Sequence, residues 1–270
     1  MEGAGDLRRR RLAFLRKRRK ANRPAMTMLE HLDELRSRLI ISLATFVALS
    51  IVAFIFYEPI FSFILQPLCS LPAEVLGSRG CRLVQLSVLE GFQVRLKMTA
   101  IVGLAAASPV WLYELWAFIV PGLTVREKRY TIPFLVSAVT LFLAGAAFAY
   151  LLLPQAMELL LGIGGAPLDP TLRADSYINF VGLMLIAFGV TFELPLVLTF
   201  LGLVGVVTPA LLRKHRRAAL VGILALSAIV TPSQDPYTMM LMAGPLYLLY
   251  ELTILVIALI LRRRARGESL

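Results

Sequence analysis

Six apolar runs separated by polar breaks organise the chain from residue 39 onward: 39–57, 94–120, 130–153, 178–206, 218–230 and 239–261. About 20 apolar residues cross a bilayer as one helix. The pattern therefore predicts an all-α integral membrane protein with six transmembrane helices. The fifth run is short: its thirteen residues rise about 20 Å at 1.5 Å each, against a hydrocarbon core of roughly 30 Å. Between the runs, two long segments, 58–90 and 154–177, carry apolar turns at 59–65 and 156–161 punctuated by Pro and Gly. These read as short interfacial helices capping the bundle, with Pro154 bending the chain as the third span leaves the membrane.

Composition agrees with the pattern. Of 270 residues, 58% are hydrophobic and 17% charged, with mean hydropathy +0.77. Soluble domains run at roughly 45–50% apolar and about 25% charged, so a water-soluble globule and a disordered chain are both excluded. Two Cys and two His are too few for a disulfide scaffold or a histidine-built zinc site.

Charge orients the spans. Of the 28 Lys and Arg, 23 fall in the N-terminal region, the loops after the second and fourth spans, and the C-terminal end. By the positive-inside rule both termini are expected in the cytoplasm, and segments 58–90 and 154–177 face outward. Residues 1–25 form a basic tail, with ten positive charges between Arg8 and Arg23 and no following signal-peptide core. The tail is expected to be disordered and to adhere to anionic lipid, at about 1 kcal/mol per cation. Only one aromatic residue, Phe14, interleaves with its arginines, so nucleic acid is not the expected partner. The membrane domain spans 26–261, and 262–270 form a second basic tail.

Acidic residues inside the spans are costly, at roughly 2.5–3.5 kcal/mol each near the centre. Glu193 lies midway along the fourth span in Thr191-Phe192-Glu193-Leu194-Pro195, Glu251 lies in the sixth, and Glu114 near the cytoplasmic end of the second. Each is either a protonated carboxyl hydrogen-bonded to a neighbouring helix or a polar element facing a cavity or a partner's helix. Apart from Arg95 and Lys97 at the start of the second run, no His, Lys or Arg stands within the spans to complete a proton relay. Cys69 and Cys81, twelve residues apart in the first outward segment, are expected to pair in an oxidising exterior.

At the entry to the first span, Met28, Leu32, Leu35 and Leu39 recur at helical spacing, and Glu34 and Arg38 stand four apart. The segment His31-Leu32-Asp33-Glu34-Leu35-Arg36-Ser37-Arg38-Leu39 resembles the entry motif of TatC, the multispanning subunit of the twin-arginine protein translocase. The resemblance continues through Ser108-Pro109-Val110, Tyr113, Trp116-Ala117-Phe118, Pro121-Gly122-Leu123 and Glu127-Lys128-Arg129. It runs on through Phe148-Ala149-Tyr150, Ala187-Phe188-Gly189, Phe192-Glu193-Leu194-Pro195 and Thr231-Pro232, covering roughly residues 28–261.

The resemblance implies an export subunit of a bacterial, archaeal or organellar energy-coupled membrane. Such a subunit binds the Arg-Arg signal peptides of folded proteins and is driven by the proton-motive force. Its partners would be single-span TatA- and TatB-type subunits and further copies of itself, with no cofactor. By position, Glu34, Glu127, Phe118 and Arg36 match the signal-peptide site, and Glu193 the buried polar residue of the fourth span. Pro67 and Asp235 match the functional positions of the outward loops. Two departures stand out. Pro232-Ser233-Gln234-Asp235 is one residue longer than Pro-Pro-Asp, and Met239 stands where relatives carry Gln.

The chemistry fits the resemblance. A guanidinium keeps its charge and offers planar donors that suit carboxylates, so two arginines call for two acids at one surface. Glu127 also has Arg126, Lys128 and Arg129 as neighbours with which it could pair. A solute transporter built on Glu193 and Glu251 would more naturally show paired, repeated broken helices, and no such repeat is evident. No His-Glu-x-x-His motif, Gly-x-Ser-x-Gly elbow or phosphate loop occurs, so no catalytic residue is assigned.

Overall fold

Proline breaks two of the apolar runs into separate helices. A computed structural model describes residues 28–77, 80–119, 131–162, 171–230 and 236–265. They form eleven helices: α1 (Met28–Ile55), α2 (Tyr57–Cys69), α3 (Ala73–Leu76), α4 (Glu90–Ala106), α5 (Ser108–Ile119), α6 (Thr131–Gly162), α7 (Ala174–Thr191), α8 (Leu194–Val204), α9 (Pro209–Lys214), α10 (Arg216–Val230) and α11 (Pro236–Ala265). Apart from an isolated bridge between Val84 and Arg173, the described residues contain no β pairing.

The second run is not one straight helix. Pro109 has no N–H to give the preceding turn, and its ring crowds the carbonyl four residues back. The run accordingly divides at Ala107 into α4 and α5, which meet at a bend of 54°. Pro195 acts likewise in the fourth run, where α7 stops at Thr191 and α8 starts at Leu194 with the proline in its first turn.

Pro154 behaves otherwise. Instead of a bend and a separate cap helix at 156–161, α6 runs unbroken from Thr131 to Gly162 through the proline. Leu153, Ala156 and Met157, on both sides of it, are buried in the main core. Their burial outweighs one missing hydrogen bond, as tertiary packing commonly outweighs local propensity. The 59–65 turn is a longer helix than expected: α2 begins two residues after α1 ends, includes Pro67, and packs on α6. At the C-terminus α11 extends to Ala265, inside the segment assigned to the basic tail.

Four stretches are long and apolar enough to cross a membrane: Leu29–Ile55, Ile132–Gly162, Ala174–Val204 and Pro236–Arg262. The α4–α5 pair makes a fifth if the bent helices count as one span. α10 has only 15 residues, about 22 Å at 1.5 Å per residue, short of a full crossing.

Packing follows from small residues at the crossings. A side chain at Gly103 of α4 would lie 2.8 Å from the Ser50 Cα of α1, and one at Gly145 of α6 would lie 2.7 Å from the Phe188 carbonyl oxygen of α7. Only glycine lets these backbones approach so closely, the usual device for packing helices in lipid. The main core joins α2, α4, α6 and α7 around Leu68, Met98, Leu153, Ile178 and Phe188. α10 rests on α11, which also packs on α8 and α9. Only 6% of the apolar stretch of α1 is buried, so this helix lies at the edge of the bundle.

Candidate functional site

α1 packs on both α4 and α5, which brings its first turns against the far end of α5. His31, Glu34 and Arg38 recur at three- and four-residue spacing on one face of α1. Glu114 and Phe118, four apart, do the same on α5. Arg38 joins the two faces. Its Nε and Nη2 donate to Glu34 Oε1 at 3.0 and 2.5 Å, and its Nη1 donates to Glu114 Oε2 at 2.8 Å. His31 stacks on Phe118, with ring centroids 4.2 Å apart and planes 12° from parallel.

The side chains of Arg38, Glu34 and Glu114 are 24%, 17% and 11% exposed. At that burial a charge left without its partner costs more than at an open surface. Two carboxylates share one guanidinium, so the cluster carries one negative charge in excess with His31 counted neutral. Glu34 Oε2 is buried without a hydrogen bond, and His31 Nδ1 lies 3.8 Å away. Chemically this is a carboxylate with an acceptor to spare beside an aromatic face, suited to a second cation carried on an apolar chain.

Of the residues singled out for signal-peptide binding, Glu34 and Phe118 are thus brought together, while Arg36 sits exposed on α1. Glu127 and Asp235 lie outside the described residues. The sequence marks Glu114 only as one more intramembrane acid, whereas the fold makes it the second partner of Arg38. The signal was available: Glu114 and Phe118 share one helical face at the end of the second span, where a hairpin must bring them near the start of the first.

Glu193 occupies the break between α7 and α8, half-buried, with Oε1 lacking a hydrogen bond. Glu251 is tied to Arg216 at the start of α10 by a 2.6 Å contact and accepts from Tyr247 Oη at 3.3 Å. The fifth and sixth runs hold no basic residue, but the short α10 places Arg216, at its start, level with the middle of α11. Pro67 is buried in α2, and its carbonyl accepts from Ser70 Oγ.

Cys69 and Cys81 are joined by a disulfide with Cα atoms 4.9 Å apart, within the ordinary range. It closes the segment between α2 and α4. Nearby, Glu90 at the start of α4 is buried and accepts from the Leu86, Ser87 and Asp175 backbone N–H groups. Glu90 thereby ties this segment to the start of α7.

Residues 30–245 match the family model of the Sec-independent protein translocase protein TatC. The TatC of Frankia casuarinae is 42% identical over 247 residues, which cover 89% of this chain and 68% of that protein. The TatC of Aquifex aeolicus is 41% identical over 242 residues, 88% of this chain and 98% of that one. The crystal structure of the twin-arginine translocase receptor TatC in DDM superposes with a TM-score of 0.72 at 42% identity, covering 84% of this chain and 99% of that one. The chain is therefore a multi-pass membrane component of Sec-independent protein export, not an enzyme, and it belongs to the TatC family.

Proposed function

We propose that this chain is the receptor subunit of a twin-arginine export system and binds the Arg-Arg pair of signal peptides on folded proteins. Glu34 receives one guanidinium and Glu127 the other, with Arg36 at the rim and Phe118 against the peptide's apolar part. The observation that carries this reading is Glu34 itself: a carboxylate with a buried, hydrogen-bond-free oxygen, four residues from Arg38 and 3.8 Å from the His31 ring that stacks on Phe118.

The asymmetry of Lys and Arg supports a six-span chain with both termini, and the Glu34 cluster, at the cytoplasmic face. α10 is then the short fifth span. Glu193 and Glu251 are the intramembrane polar elements toward single-span TatA- and TatB-type partners or further copies of the chain. Pro67 and Asp235 belong to the outward loops. Translocation draws on the proton-motive force, and the basic tail holds to anionic lipid.

Titration of a labelled twin-arginine signal peptide into the detergent-solubilised chain tests the reading. Lysine matches the carboxylate fork less well, so a twin-lysine peptide should bind more weakly. Loss of either Glu34 or Glu127 should weaken binding about ten- to hundredfold, on the scale of charge-assisted hydrogen bonds. Equal affinity for the two peptides, or wild-type affinity in the Glu34→Gln/Glu127→Gln double variant, would make the assignment wrong.

A further inference from the structure

The acid that the incoming arginine needs is already engaged. Arg38 places two of its donors on Glu34 Oε1 and the third nitrogen on Glu114 Oε2. We propose that Arg38 is a tethered stand-in for the substrate guanidinium, and that Glu114 is the positioning residue that keeps Arg38 when a signal-peptide arginine takes Glu34. This deepens the receptor reading of Glu34 and rests on it.

The geometry makes such a hand-over inexpensive. Nη1 already sits 2.8 Å from Glu114, so Arg38 need only swing its Nε edge away from Glu34 to leave that carboxylate free. Its own charge stays neutralised throughout, which matters for a side chain three-quarters buried. Glu114 is itself 9% exposed and is anchored on α5, so it is set to retain Arg38 rather than to meet the peptide. A lone Glu34–Arg38 pair would behave differently: each incoming arginine would have to displace Arg38 into a half-buried space without a counter-ion. The second acid converts that displacement into an exchange of partners. It also supplies the excess negative charge that draws a second cation into the cluster.

Peptide titration into the full-length solubilised chain and its variants tests this, with the thermal midpoint of each variant recorded. Glu114→Gln confines Arg38 to Glu34 and should weaken twin-arginine binding about tenfold, roughly one charge-assisted hydrogen bond. Adding Arg38→Gln to Glu114→Gln frees Glu34 and should restore most of the loss. A residue of merely structural importance would show no such recovery, and a residue touching the peptide would show none either. Arg38→Lys, which keeps the charge but loses the planar fork, should bind the peptide more tightly than wild type. That variant carries the test if Glu114→Gln fails to fold. Wild-type affinity in a folded Glu114→Gln chain, a double variant no better than Glu114→Gln, or weaker or unchanged binding in Arg38→Lys would each overturn the hand-over. Glu34→Gln separates the two proposals: if it binds like wild type the receptor reading itself fails. If it loses binding while Glu114→Gln does not, only the hand-over fails.

Discussion

His31 and Phe118 stack face to face across the α1–α5 contact, 4.2 Å between ring centroids. The stack stands beside the Arg38 bridge and closes the same helix pair with apolar area. Neither ring is fully buried, so part of Phe118 remains accessible. One side chain thereby serves both helix packing and the proposed peptide contact.

Phe118→Ala should separate these roles. Aromatic stacking contributes about 0.5–1.5 kcal/mol beyond area burial, so the thermal midpoint should fall only slightly. Twin-arginine peptide affinity should fall more steeply, because the apolar contact goes with the ring. Anisotropy titration beside a melting curve in the same detergent reads both.

Gly103→Val should be severe. Its first carbon would stand 2.8 Å from the Ser50 backbone, which cannot move aside as a flexible side chain could. Overpacking of this kind costs about 1–3 kcal/mol and would separate α1 from α4. The matched control is Gly222→Ala on α10, where nothing lies within 4 Å. There alanine should stabilise by about 0.5–1 kcal/mol through helix propensity. Thermal unfolding of the two variants in detergent checks both signs.

The Cys69–Cys81 bridge closes a twelve-residue separation. Its removal as Cys69→Ser/Cys81→Ser should destabilise by roughly 3 kcal/mol in the chain-entropy picture. Denatured, unreduced protein should take up no maleimide, and two equivalents after reduction, as mass spectrometry would show.

Glu251→Gln should leave Arg216 without its 2.6 Å partner. The measurable consequence is loosening of α10 from α11, read as faster hydrogen exchange along α10. Reversing both charges, Arg216→Glu with Glu251→Arg, should recover much of the protection. An equally loose reversed pair would show that the ion pair is incidental to packing.

Lengthening α10 by four leucines, about one turn, should impair export while leaving membrane insertion intact. With Arg216 held by Glu251, a short helix beside full-length ones thins the bilayer or draws Arg217 toward the headgroups. Export assays alongside protease protection of the membrane-inserted chain distinguish the two effects.

The sequence by itself determined what depends on local order. Apolar run length specifies a helical membrane protein, and the spacing of Glu34 and Arg38 specifies a pair on one helical face. The ordered motifs from His31 to Pro232 were enough to identify the family. Tertiary structure decided whatever depends on neighbours distant in sequence. It carried α6 straight through Pro154, because Leu153, Ala156 and Met157 are buried on both sides. It gave Glu251 its basic partner, because a fifteen-residue helix cannot keep Arg216 at the bundle's end. It also turned the simple Glu34–Arg38 pair into a two-acid cluster by folding α5 back on α1. Periodicity assigns a residue to a face of its own helix. Which helix covers that face is set by close backbone approach at positions such as Gly103, through contacts made across more than fifty residues of chain.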